Sequence, residues 1–300
     1  MAINTVKATI NGQTYDLAFN SSSGKWEATL TAPGKTSYNL AGGYYNVAVE
    51  ATNDAGTKGS ADATTIDGLK LVVKETVAPV ITIVSPSSGA YVTNSKQPVV
   101  FNVIDESGGS GVDLTALVVK QDGTSVAAAT ITSTAIANGY SVTYTPTTAL
   151  ADGAHTVTID CKDHDGNAAV QKSTTYTVDT VPPTLNVTSP TEGLVTATAP
   201  VTVAGTTNDA TSSPVTITIL LNGTDQGAVT VAANGTFSKV VTLEEGNNTI
   251  VVKAKDAAGK ESSVTRTVKL DTSVPKITAA TITPNPVDTG KTMVISVTIE

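Results

Sequence analysis

The segment Asp163-His164-Asp165-Gly166-Asn167 places side-chain oxygens at alternate positions around a glycine. That is how the first half of some calcium loops presents hard oxygen ligands. The same residue types also build tight turns, because Asp, Asn and Gly tolerate left-handed backbone and hydrogen-bond locally. Both readings stand: Asp163, Asp165 and Asn167 either ligate calcium or only close a hairpin. The corresponding segments, Asn53 to Gly56 and Asp256 to Gly259, keep the turn chemistry with fewer oxygens. Three acids that precede prolines, Glu75, Asp179 and Asp271, either add ligands at links in the chain or simply solvate them. The glycine-rich run from Asp105 to Asp113 lacks the lysine and following helix that phosphate binding needs. It reads as an inter-strand loop or as a second weak cation site.

Little other chemistry is on offer. The two histidines, His155 and His164, have no zinc-like spacing, and with the single Cys161 they supply no nucleophilic constellation. The remaining acids fall in turns that recur along the chain, so no catalytic residues are expected and calcium is the one cofactor considered. A net charge of −8, a pI near 4.8 and no Lys/Arg cluster argue against nucleic acid or an anionic membrane as partner. Met1 to Phe19 has no basic stretch followed by an apolar run, and no segment is apolar enough to insert in a bilayer. The expectation is therefore a chain made in the cytoplasm. One cysteine allows no internal disulfide, which fits a reducing compartment.

The elements that position these residues are repeats. A signature Gly-x-polar-x-apolar-x-apolar-x-small occurs at Gly43 to Ala51, Gly153 to Cys161 and Gly246 to Ala254. Each is a period-two strand with one buried face, and Cys161 takes the place of the small Ala51 and Ala254. Each copy runs into an Asn/Asp turn. Each is preceded by a hairpin tip, at Asn11-Gly12, Asp122-Gly123 and Asn222-Gly223. Aromatics follow glycine at strand starts, as in Gly24-Lys25-Trp26, Gly139-Tyr140 and Gly235-Thr236-Phe237, and read as core anchors. Tyr44-Tyr45 is the one adjacent pair and a candidate contact site. The prolines Pro79, Pro183 and Pro275 follow the junction acids and suit short, semi-rigid links. Many short strands without helical periodicity predict an all-β fold of tandem immunoglobulin-like β-sandwiches.

The stretches Val77 to Pro86 and Val181 to Pro190 resemble bacterial immunoglobulin-like repeats, and the resemblance extends over the whole chain. No partner exists for Cys161 on an opposing sheet, so the disulfide of antibody domains is absent. The closing run Ile282 to Lys291 is similar to tail-associated proteins of phages and prophages. The resemblance implies a structural or host-contacting part of a phage tail or other virion part, located in the virion. Its partners would be itself, other virion proteins or a host-surface receptor. A bacterial cell-surface or extracellular filament or adhesin, and accessory domains of a larger secreted enzyme, are the alternatives.

Landmark spacing divides the chain into 1–78, 79–182, 183–274 and 275–300. Residues 1–78 reach their Asn-Gly hairpin at once and so lack opening strands, whereas 275–300 contain only opening strands. Met293, Ile295, Val297 and Ile299 alternate along one face like Val99, Phe101 and Val103. The expectation is that these terminal strands complete the first module of another copy, head to tail, by β-strand addition. The alternatives are an arbitrary boundary, or a patch made by the insertion from Ser60 to Gly68.

Overall fold

All three copies of the signature are strands, Tyr45–Asn53, Gly153–Asp163 and Gly246–Lys255, but their apolar faces meet different fates. In the second and third copies every inward residue is buried: Val157, Ile159 and Cys161, then Ile250, Val252 and Ala254. In the first copy Val47, Val49 and Ala51 are only half-buried. The difference lies in what stands opposite. These relations come from a computed structural model that describes residues 2–300, nearly all β, in two compact units, Met1–Val178 and Asp179–Glu300.

The second module is a closed sandwich. One sheet runs Ile131–Ile136, Gly139–Tyr144, Val99–Ile104, Val80–Ser85. The other runs Thr124–Ser125, Val112–Gln121, Gly153–Asp163, Lys172–Val178, and ends on Tyr91–Val92 in parallel. Phe101, Val99 and Val142 from the first sheet join Val157, Ile159 and Tyr176 from the second in one buried cluster. Alternation along each strand puts these residues on the inner faces, as aligned sheet packing requires. Cys161 lies in this core, and burial pushes its thiol up to about 11, so it is a poor nucleophile at neutral pH.

The third module repeats the plan with sheets Thr184–Ser189, Pro200–Asn208, Thr236–Thr242 and Leu194–Thr196, Glu261–Leu270, Gly246–Lys255, Thr216–Leu221, Thr224–Asp225. Its core gathers Val203, Phe237 and Val241 against Ile219, Ile250 and Val268. Residues 2–74 instead form a single sheet, ordered Lys25–Glu27, Gln13–Asn20, Ile3–Ile10, Tyr45–Asn53, Lys58–Ala61, with Lys70–Leu71 also paired to Tyr45–Asn53. The two buried apolar clusters of the described residues belong to the second and third modules. The segment from Ser60 to Gly68 buries Ala63, whose N–H reaches Asn46 Oδ1 at 2.8 Å, but leaves Val47 and Val49 half-covered.

The first unit holds both this single sheet and the second module. Thr36 Oγ1 donates to Asp165 Oδ2 at 2.6 Å, Asn39 Nδ2 to the Gly109 carbonyl at 2.7 Å, and the Tyr38 ring stacks on His164 at 4.5 Å. The link from Glu75 to Pro79 is itself held at Glu75, whose N–H donates to Asp165 Oδ2 and whose carbonyl accepts from Asn167 Nδ2.

Residues 275–300 form a lone antiparallel hairpin, Ile277–Thr283 with Val294–Ile299, the pairing that joins the first strand to the third in each closed module. Every strand residue in it is exposed, including Ile295 at 61% and Ile299 at 60%. The matching Val99, Phe101 and Val103 are fully buried.

The hairpin tips adopt the mirror-image turn that the right-handed twist of paired strands demands. Asn11, Asp122 and Asn222 have φ of 47°, 51° and 50°, and each is followed by a positive-φ glycine. In the second module Asp122 also receives the Thr156 N–H at 2.8 Å and pairs with His155 Nδ1 at 2.7 Å, and Asn222 and Asn248 play the same parts in the third. Burial alone would lower the His155 pKa, yet the Asp122 bond leaves it raised; burial opposes ionisation of Asp122 too, and His155 and Thr156 leave it lowered.

The pair therefore stabilises most between the depressed Asp122 value and the raised His155 value. The histidine share is complete below the ordinary pKa of about 6.5 and is lost as pH rises through the raised one. The aspartate share is lost as pH falls through the depressed one. Because the Asp122 side chain is 44% exposed, the pair is worth only about 0.5–1 kcal/mol. His155→Ala should lower the second module's melting temperature by about 2–6 °C at pH 5.5 and by less at pH 9, measured by differential scanning calorimetry.

Candidate functional site

In the turn from Asp163 to Asn167 both Asp163 oxygens and Asp165 Oδ2 accept from protein donors. Asp163 Oδ1 accepts the N–H groups of Gly166 and Asn167 at 2.6 and 2.8 Å, and its Oδ2 accepts from Asn167 Nδ2 at 2.8 Å. Asp165 Oδ2 accepts from Thr36 and from the Glu75 N–H at 3.0 Å, and Asn167 Nδ2 also reaches the Glu75 carbonyl at 3.1 Å. These three residues lock the turn and anchor the link that passes over it.

The carboxylates that converge are Glu75, Asp105 and Glu106, each with an oxygen within 4.8 Å of the others. Asp105 is 3% exposed; its Oδ2 accepts the Gly111 N–H at 2.7 Å and its Oδ1 has no donor. Glu106 Oε2 has none either. Glycine is needed in this loop for a steric reason. A Cβ at Gly109 would lie 2.6 Å from oxygens of both Asp105 and Glu106, so only a bare backbone lets the two acids fold around it.

Electrostatics records the crowding. Burial, then the hydrogen bond with Asp163, raises the Glu75 pKa. Burial, reinforced by Asp105 and Glu75, pushes Glu106 up to about 7. For Asp163 the burial cost is outweighed by bonds from Asn167 and Glu75, and its pKa is lowered.

The third module builds the same arrangement from its own residues. Asp179, Asp209 and Asp256 are 1%, 9% and 5% exposed and also lie within 4.8 Å of one another. Asp209 Oδ1 accepts the N–H groups of Thr211 and Ser212 at 2.8 and 2.7 Å, and the fully buried Ser212 hydroxyl donates to Asp179 Oδ2. Asp256 Oδ1 accepts the Lys260 N–H at 2.8 Å, while its Oδ2 has no donor. Among the described residues no Lys or Arg ion pair reaches any of the six acids.

Sequence reasoning singled out Asp179 and Asp105 but passed over Asp209 and Ser212. The missing signal was arithmetic: Asp105 follows Pro79 by 26 residues, and Asp209 follows Pro183 by the same 26. The third junction acid, Asp271, is half-buried and paired with Lys269 at 2.9 Å; bonds from Ser273 and Lys269 hold its pKa down at about 2.

The aromatics divide. Phe237 is a core anchor at 4% exposure and Tyr140 packs against the second core, but Trp26 is only half-buried beside Phe19, itself 57% exposed, with ring centroids 5.7 Å apart. Expected as a third anchor, Trp26 has no opposing sheet to enter, because its strand pairs only with Gln13–Asn20. Tyr44-Tyr45 is not an exposed platform: Tyr45 is buried, with its hydroxyl on the Lys35 carbonyl, and Lys70 stands over the Tyr44 ring at 5.3 Å.

Comparison with known proteins agrees with this architecture. Residues 85–180 match the family described as Bacterial Ig-like domain, and residues 183–272 match Glucodextranase, domain B. The chain is an immunoglobulin-like repeat protein of tandem β-sandwiches. Solved structures similar to it include the fibronectin(III)-like modules of Clostridium thermocellum CbhA, 19% identical over 64% of this chain and 94% of that one, with a TM-score of 0.41. Immunoglobulin domains 1–4 of Sidekick-1 are 13% identical over 90% and 68%, with a TM-score of 0.39. A set of titin domains is 13% identical over 90% and 92%, with a TM-score of 0.40. A search of curated proteins found no match. No helix among the described residues is long and apolar enough to cross a membrane.

Proposed function

We propose that this chain is a non-catalytic structural string that joins and presents surfaces, and that copies join by strand exchange. One observation carries the reading: an exposed hairpin, Ile277–Thr283 with Val294–Ile299, has the pairing of the opening strands that residues 2–74 lack. Ile295, Val297 and Ile299 would cover the faces of Val47, Val49 and Ala51, as Val99, Phe101 and Val103 cover Val157 and Ile159 in the second module. Donor and acceptor lie at opposite ends, so such contacts propagate head to tail. A phage tail or other virion part is the setting we favour, on the resemblance of residues 282–291, with a bacterial surface filament as the alternative.

Sedimentation velocity of the chain with and without residues 275–300 tests this. The full chain should form concentration-dependent oligomers and the shortened one should be monomeric. Identical monomers up to about 100 μM, a weak affinity for a specific interface, would remove strand exchange. The match of residues 183–272 to a glucodextranase domain favours a second reading, an accessory module of a carbohydrate-active enzyme. Binding to α-glucan in an affinity gel would select it.

A further inference from the structure

We infer that each closed module carries a divalent-cation site of the calcium class at its acid cluster: Asp179, Asp209 and Asp256 in the third module, and Glu75, Asp105 and Glu106 in the second. The inference goes beyond strand exchange and does not depend on it. Three observations carry it.

The acids converge within 4.8 Å in both modules, with no Lys or Arg paired to them among the described residues. Like charges held that close in a buried place repel strongly unless a proton or a counter-charge sits among them. Each cluster also contains an aspartate more than nine-tenths buried with one oxygen that no donor meets, Asp105 Oδ1 and Asp256 Oδ2. Buried carboxylate oxygens normally find a donor, and each exception calls for a missing partner. Finally, the arrangement recurs on different residues. A linker acid four residues before the proline and a loop acid 26 after it are kept, and the third position is filled by Asp256 in one module and Glu106 in the other.

The donor set identifies the ion. Every converging group is a carboxylate, with the Ser212 hydroxyl beside one cluster, and no imidazole or thiolate takes part. All-oxygen sites suit calcium or magnesium, not zinc or copper. In each cluster two acids sit in loops and the third in the linker, so the spacing can relax to the longer, more variable distances and higher coordination that calcium takes, whereas magnesium demands a near-ideal octahedron. Linker acid and loop acids would then be bound to one ion, which fixes the angle at which the chain enters each module.

Isothermal titration of the chelator-treated 300-residue chain with calcium chloride is the test. Two equivalents should bind, magnesium should bind at least tenfold more weakly, and calcium should raise the melting temperature of both modules. The Asp209→Asn, Asp256→Asn double variant should keep one equivalent and lose the shift for the third module only; the Glu106→Gln variant should lose the other. If either variant fails to fold, stoichiometry on the unaltered chain still decides. Heat indistinguishable from buffer together with no melting shift in 5 mM calcium would overturn the sites. So would two equivalents that survive in the double variant.

Discussion

Phe237→Ala should destabilise the third module by about 3–5 kcal/mol, whereas Trp26→Ala should cost the first module less than about 1 kcal/mol. The two residues occupy the same Gly-x-aromatic position, and nothing local distinguishes them. What differs is the second layer. Phe237 enters a core with Val203 and Ile219 and is 4% exposed, so its removal forfeits apolar burial and leaves a cavity. Trp26 already meets solvent and Phe19. Urea titration read by pulsed amide hydrogen exchange resolves the outcomes, because peptides from residues 2–74 and from 183–274 report the two modules separately and need no tryptophan. Comparable losses at both sites would mean that residues 2–74 close a core of their own.

Gly235→Ala should be nearly as damaging, at about 2–5 kcal/mol, from left-handed strain of about 1–2 and overpacking of about 1–3. At φ of 81°, a Cβ on Gly235 would stand 2.2 Å from the Thr207 carbonyl oxygen. That contact is backbone against backbone, so no side-chain rotation relieves it. The Gly235 carbonyl also accepts the Thr207 N–H at 2.9 Å, which holds the two strands at that spacing. Gly223 has a similar φ of 83° but open space around its Cβ position, so Gly223→Ala should lose only the strain part, about 1–2 kcal/mol. Equal effects in thermal melts would show that conformation alone, not the close approach, matters at Gly235.

Most of the architecture was readable from residue spacing. Period-two alternation at Val157-x-Ile159 and Ile250-x-Val252 marks the buried face directly, and Asn-Gly or Asp-Gly at the tips dictates the turn. The unequal burial of equivalent residues was harder. Val49 and Ile159 look alike along the chain, and only the sheet opposite, made from residues far away in sequence, decides that one is half-covered and the other sealed. The same limit explains the acid clusters. Asp163, Asp165 and Asn167 lie close in sequence and so suggest a ligand loop, but Asp163 Oδ1 accepts backbone N–H groups of the same turn, Asp165 Oδ2 accepts that of Glu75, and Asn167 donates to the Glu75 carbonyl. Asp179, Asp209 and Asp256 are brought together across 77 residues by strand pairing, which no local spacing announces.

The central claim is that the chain holds two sealed sandwiches and two uncovered strand sets, which we propose cover each other between copies. Amide hydrogen exchange read by mass spectrometry, at protein concentrations below and above the onset of oligomers, tests it most directly. Peptides spanning 99–104, 153–163 and 246–255 should be strongly protected at every concentration, while those spanning 45–53 and 277–299 should exchange fast when dilute and gain protection together as copies join. Strong protection of 45–53 and 277–299 in the dilute monomer, or its absence in the assembled state, would contradict the account.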